Sequence, residues 1–253
     1  MAGFAAASPN LTLIDYAAGR LRHSRCARLL DIGCGAGRNA VPLANLGFHV
    51  IGTDSSQPML RAAAAREGGH QLHLAHAEMA GLPIQSASVD FIVAHGIWNL
   101  ARSGSEFRGA VREAARVATP GAALFVFTFS RHTLPADAAL VAGETFVFTQ
   151  FSGAPQCFLT AAQLVQELHA AGFVPDPVLP VRELNRPAPG LRTGGPVIYE
   201  GAFRFSSGTT NDDDPWHHSR FGSVAARRSD RIHRWRHCQP RAGQERRRRE
   251  PKA

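Results

Sequence analysis

Residues 29–39 read Leu-Leu-Asp-Ile-Gly-Cys-Gly-Ala-Gly-Arg-Asn, and this run constrains the fold more than any other part of the chain. A short apolar stretch at 27–32 that ends in a glycine cluster has the pattern of a buried strand entering a tight turn. Gly33, Gly35 and Gly37 leave the backbone free to approach a ligand where a Cβ would clash. A helix expected over 38–46 then offers the unpaired N–H groups of its first turn beside the loop. It stops at Gly47, and Pro42 requires that it begin close to Gly37. Strand, glycine loop and helix are the first unit of an α/β sheet, with a ligand site at the strand's carboxyl end.

The rest of residues 1–205 sustains that alternation. Strand-like runs at 48–53, 71–76, 89–94 and 122–129 are separated by helical stretches. Helices are expected over 11–21, after Ser56 (a candidate cap with Pro58 in the first turn) and over 106–117. Thr119-Pro120-Gly121 reads as the turn into the strand at 122–129, and residues 145–151 add strand character. Thr160 and Gln163 have the spacing of a capping box that opens a helix ending at Gly172. Runs at 173–179 and 196–205 close the domain as strands.

Charge sets the expected boundary. The 253-residue chain carries a formal +8, but residues 1–205 hold 16 Arg against 14 Asp or Glu, a net of +2. Residues 206–253 hold 11 Arg and one Lys against six acids, a net of +6. That last stretch is poor in aliphatic residues and ends near four consecutive arginines at 246–249. Such composition does not offset the entropy lost on ordering, so it is read as a disordered tail. Trp216 and Trp235 within it suit an unselected extension as well as a basic arm binding polyanions weakly. No apolar run reaches the ~18 residues that span a bilayer, and the start lacks the basic region of a secretory leader. Cys26, Cys34, Cys157 and Cys238 are scattered, as in a reduced cytoplasm rather than a disulfide framework or zinc site. A cytoplasmic protein without a membrane partner is therefore expected, and the sequence says nothing of its oligomeric state.

The spacing around the glycines selects among ligands. Asp54, 21 residues after Gly33, stands where a carboxylate accepts both hydroxyls of a ribose. A dinucleotide fingerprint needs Gly or Ala at the position occupied by Arg38, so that fingerprint fails. Asp31, two residues before the first glycine, would repel a pyrophosphate and attract a cation. S-adenosyl-L-methionine meets these demands, with an ammonium, a sulfonium and no phosphate.

Here the sequence resembles a family. The run from Asp31 to Gly37 is similar to motif I of the class I S-adenosylmethionine-dependent methyltransferases, and four further segments follow in order. Residues 49–56 resemble the second strand with its ribose-binding acid. Residues 77–83 resemble the adenine-binding segment, with Glu78 where Asp is more usual. Residues 88–95 resemble the fourth strand, and residues 116–122 the turn before the fifth. Gly37-Arg38-Asn39 is also similar to the tellurite-resistance-like small-molecule branch, alongside methyltransferase type 11. The resemblance implies a Rossmann-like, doubly wound sheet of seven strands, mostly parallel with an antiparallel last strand. It implies an enzyme binding the cofactor through Asp31, Gly33, Cys34, Gly35, Gly37, Asp54, Ser55, Glu78, Met79 and His95.

Acceptor and catalytic groups are expected at the carboxyl ends of the fourth and fifth strands. His95 is a candidate for a cofactor contact or a general base, and equally for a half-buried structural histidine. Trp98 and Asn99 are candidates for the substrate wall, Arg131 for a substrate contact and His132 for a second catalytic group. The aromatic segment 144–160 is expected either to cover an apolar or planar substrate or to be ordinary core. His70, His73 and His76 do not share one face of a strand, so no metal site is expected. A small-molecule methyl acceptor is the reading of the nearly neutral domain. Its rivals are a nucleic-acid methyltransferase using the basic tail and a regulatory protein that binds the cofactor without catalysis.

Overall fold

The apolar run at 27–32 forms strand β1 (Arg28–Ile32), buried over residues 29–32 because helices cover both faces of the sheet. A computed structural model of the protein describes residues 8–21, 27–187 and 195–206. The tail expected over 206–253 lies, from residue 207 onward, outside the described residues, as do Cys26 and Cys238. Helix α1 (Leu11–Leu21) precedes β1, and α2 (Ala40–Asn45) follows the glycine loop with Pro42 in its first turn. Next come β2 (His49–Asp54), α3 (Gln57–Ala65), β3 (His73–His76), β4 (Val89–His95), α4 (Gly104–Val117) and β5 (Ala118–Phe129). The second half contributes β6 (Val147–Phe148), β7 (Gln156–Cys157), α5 (Ala161–Ala170), β8 (Phe173–Pro175), β9 (Arg182–Leu184) and β10 (Ile198–Phe205).

The main sheet runs β3-β2-β1-β4-β5-β10-β8, with β9 paired to β10 off that path. Pairs from β3 through β5 are parallel, whereas β10 is antiparallel to β5, β8 and β9. This is the expected doubly wound sheet: seven strands in order, mostly parallel, the last one antiparallel. Short β9 is an addition. The chain moves outward from β1 to β3 and then crosses back to β4. That reversal opens a crevice above the carboxyl ends of β1 and β4.

Each face has its own core. Residues of α4 and α5, including Phe107, Val111, Leu164 and Leu168, pack on one side with Ile32, Ile92 and Leu124. Residues of α1, α2 and α3, including Leu13, Leu43 and Leu60, pack on the other with Leu29, Val93 and Phe125. Burying such side chains contributes about 1.5–3 kcal/mol each.

Several local expectations change. Thr119-Pro120-Gly121 does not precede β5 as a turn but lies within it, with Gly121 at φ +78° and a register shift against β4. The aromatic stretch at 145–151 shortens to β6, which pairs with β7 as a separate ribbon. The run at 173–179 shortens to β8. Ser56 occupies the cap position of α3 without a side-chain capping bond, and its own N–H donates to the Asp54 carboxylate at 2.8 Å. Thr160 and Gln163 form the full capping box of α5. Among the described residues no helix is long and apolar enough to cross a membrane.

Candidate functional site

The glycine loop leaves β1 with Gly33, Gly35 and Gly37 at φ +68°, +54° and +75°. At Gly33 a Cβ would also stand 2.6 Å from Ile97 Cδ1, so both conformation and space demand glycine. The Cys34 N–H donates to Thr53 O at 2.9 Å, tying the loop to β2. Asp54, at the end of β2, completes the arrangement. One carboxylate oxygen accepts the Gly35 N–H and the other the Ser56 N–H, each at 2.8 Å. Each oxygen keeps a lone pair for a further donor. Cys34 is buried, which raises the pKa of its thiol, so it packs and does not react.

Two cavities flank this loop. The smaller, of about 400 Å³, is lined by Asp54, Ser55, Glu78, Met79, Arg102 and Glu106 among others. The larger, of about 670 Å³, is lined by Asp31, Arg38, His95, Asn99 and three phenylalanines, Phe127, Phe129 and Phe151. Gly33 and Leu100 line both, so the cavities meet at the first glycine. The glycine loop thus separates a compartment rich in carboxylates from one that is apolar with a few buried polar groups.

Those polar groups are unusual in their partners. Asp31 is 2% exposed and makes no ion pair among the described residues. Burial raises its pKa to about 7, opposed by the Arg38 charge and reinforced by Asp54. Asn99 is buried with its Oδ1 lacking any hydrogen-bond partner. An orphaned acceptor and an unpaired buried carboxylate facing one cavity fit a ligand that brings donors and positive charge. The amino-acid end of S-adenosylmethionine has both.

His95 ends β4 and stacks on Phe127 of β5, centroids 4.1 Å apart and planes 11° from parallel. Its Nδ1 lies 3.2 Å from Arg38 Nη2 and its Nε2 lies 3.2 Å from Asn10 Nδ2. Asn10 is fixed as a donor there. Its Oδ1 accepts the Leu13 N–H at 2.9 Å and its Nδ2 also donates to Glu200 Oε2 at 2.7 Å. Burial and the Arg38 charge lower the His95 pKa to about 4, so the ring is neutral at pH 7. Arg38 and Asn10 were not singled out by the sequence reading for this site. In the sequence Arg38 stands out as the residue that breaks a dinucleotide fingerprint and as part of the Gly37-Arg38-Asn39 likeness, and Asn10 carries no signal beyond that of a helix cap.

The remaining candidates divide. Ser55, Glu78 and Met79 line the smaller cavity beside Asp54. Cys34, Gly35 and Asn99 line the larger one. Trp98 lines neither: it is 1% exposed, packed edge-on against Phe107, and belongs to the core. Arg131 and His132 also line neither cavity. The Arg131 guanidinium donates to the carbonyls of Leu134, Pro135 and Ala136 and lies 4.7 Å from the Phe148 ring centroid. His132 Nδ1 pairs with Glu183 Oε1 at 2.6 Å. Both are turned away by the short 3₁₀ turn Arg131–Thr133, which redirects the chain after β5. Among the described residues no cluster of three or more His, Cys, Asp or Glu could hold a metal ion.

With this geometry in view, the comparisons with known proteins agree. A family model described as a methyltransferase domain matches residues 30–126. A probable S-adenosylmethionine-dependent methyltransferase of Mycolicibacterium smegmatis is 30% identical over 219 residues, 83% of this chain and 76% of that protein. A ubiquinone biosynthesis O-methyltransferase of Methylobacterium sp. is 28% identical over 158 residues, 58% of this chain and 59% of that protein. A solved structure of the Burkholderia thailandensis 1,6-didemethyltoxoflavin-N1-methyltransferase holds 1,6-didemethyltoxoflavin and S-adenosylhomocysteine. It has a TM-score of 0.57 at 17% identity, covering 76% of this chain and 78% of its own, a likeness of fold. From motif, fold and relatives together, the chain belongs to the class I S-adenosylmethionine-dependent methyltransferases.

Proposed function

We propose that the methyl acceptor is a small molecule taken into the larger cavity. The observation that carries this reading is the meeting of the two cavities at Gly33. Asp54 accepts the ribose hydroxyls while keeping its bonds to the Gly35 and Ser56 amides. Glu78 and Met79 border the adenine. Asp31 and Asn99 hold the amino-acid end, and the loop glycines let the backbone lie against it. Bound S-adenosylmethionine supplies an electrophilic methyl group on a sulfonium. The task left to the chain is to hold a nucleophile within about 3–3.5 Å of that carbon and in line.

A cavity of about 670 Å³ falls in the usual range of small-molecule pockets, on the order of 300–1,000 Å³. The names of similar proteins, a ubiquinone biosynthesis O-methyltransferase and a 1,6-didemethyltoxoflavin-N1-methyltransferase, support the same class. The test is release of S-adenosylhomocysteine by the full chain, offered quinols and heteroaromatic metabolites in one arm and RNA or DNA in the other. Turnover with the small acceptors is expected. Turnover confined to nucleic acid would sink the reading.

A further inference from the structure

The walls of the larger cavity say more about the acceptor, given that the acceptor enters it. Phe129 on β5 and Phe151, between β6 and β7, lie with centroids 5.2 Å apart. Both rest on Phe158, at 5.5 and 5.7 Å, and Phe158 is fully buried. Phe127 continues this surface and stacks on His95. Phe151 itself is 46% exposed, a large ring packed against Phe129 and Phe158 and still partly open to solvent. Offset or edge-on contact with a second flat ring is the favoured way to cover such a surface.

The same cavity lacks a free proton acceptor for a neutral alcohol. Its ionisable groups among the described residues are Asp31, Arg38 and His95, with Cys34 inert. Both ring nitrogens of His95 face donors, Arg38 on one side and Asn10 on the other, and Asn10 is pinned by Leu13 and Glu200. Asp31 is assigned to the cofactor's ammonium. A hydroxyl nucleophile that works here must therefore ionise without help from a base.

Charge then selects the atom. Arg38 makes no ion pair with a carboxylate among the described residues, and the sulfonium adds a second positive charge nearby. An oxyanion meeting a sulfonium cancels charge, which an apolar cavity favours; an amine would become a cation beside Arg38. We propose that the acceptor is a flat aromatic ring system bearing an acidic hydroxyl, laid against Phe127, Phe129 and Phe151 and methylated on that oxygen. The hydroxyl proton passes to water. A lone pair of the oxyanion forms the O–CH₃ bond, and the S–CH₃ bond breaks with its electron pair left on sulfur. The products are an aryl methyl ether and S-adenosylhomocysteine, with one proton released.

The test uses the full chain loaded with S-adenosylhomocysteine and titrated with 7-hydroxycoumarin, whose ionised form has its own absorption band. Binding is expected to raise the ionised fraction at fixed pH. Phe151→Ala should weaken the probe by about tenfold or more and leave S-adenosylhomocysteine affinity unchanged, while Phe151→Tyr, which keeps the ring, restores binding. With S-adenosylmethionine the 7-methoxy product should form, and 7-aminocoumarin should bind less and react more slowly. Equal probe binding in Phe151→Ala, a bound probe that stays protonated, or faster methylation of the amine would overturn the proposal. Turnover of aliphatic acceptors alone would overturn it and leave the small-molecule reading intact. Label transferred only to RNA would bring down both.

Discussion

Asp54 serves the loop and the ligand at once: it fixes two backbone amides and offers its remaining lone pairs to the crevice. Asp54→Ala should weaken S-adenosylhomocysteine binding by about 1–3 kcal/mol, read by calorimetry, through lost hydrogen bonds to the ribose. An unchanged affinity would remove the ribose from Asp54. Asp31 makes a prediction in pH. Its folded pKa of about 7 is raised above that of an unfolded aspartate, about 3.9, by burial. Between those values the folded state holds more protons than the unfolded one. Stability should therefore fall as pH rises from about 4 to about 7 and then level off. A cationic ligand favours the ionised carboxylate, so cofactor affinity should rise over the approach to pH 7 as binding expels a proton. Asp31→Asn should flatten both profiles, and a wild-type affinity independent of pH there would show that Asp31 meets no cation.

Two elements outside the cavities have structural assignments with measurable consequences. The capping box of α5 satisfies N–H groups that the helix leaves unpaired, with Gln163 N–H donating to Thr160 Oγ1 at 3.2 Å. Thr160→Ala should cost about 0.5–2 kcal/mol in urea unfolding and leave turnover of the folded enzyme unaltered. The turn after β5 is built on Arg131, whose guanidinium gathers three carbonyls over Phe148. Arg131→Ala should lower the melting temperature while the KM for S-adenosylmethionine stays constant. A large rise in that KM with unchanged stability would return Arg131 to the site.

Across the whole molecule, the reversal of strand order between β1 and β4 gathers Asp31, Asp54 and His95, which are distant in sequence, at one end of the sheet. The residues proposed to hold the cofactor all lie between Asp31 and Asn99, far from the arginine-rich end of the chain in sequence. Removing residues 207–253, with their cluster of arginines, should accordingly leave cofactor affinity as it is. Any binding of the full chain to DNA should fall steeply with salt and vanish in the shortened chain. Cofactor affinity lost with the tail would mean that the tail completes the site.

The sequence by itself determined the alternating elements, the glycine loop and the acid at the end of β2. Strand and helix periods and the steric needs of a tight turn are local, and so are written in consecutive residues. It also carried the cofactor, because Asp31, the three glycines and Asp54 hold fixed spacings within one β-α-β unit. The partners of His95 and the fate of Arg131, His132 and Trp98 were decided only by the tertiary structure. His95 lies 85 residues from Asn10, and Asn10 lies 190 from Glu200, so no local pattern could couple them. Position after a strand places a residue near the crevice, but the next turn decides whether it faces in. The 3₁₀ turn Arg131–Thr133 carried Arg131 and His132 away, and a second, Trp98–Leu100, sank Trp98 into the core, while Phe127, Phe129 and Phe151 came together as the wall. Side-chain direction and long-range pairing follow from how layers pack, and packing exists only once the chain has folded.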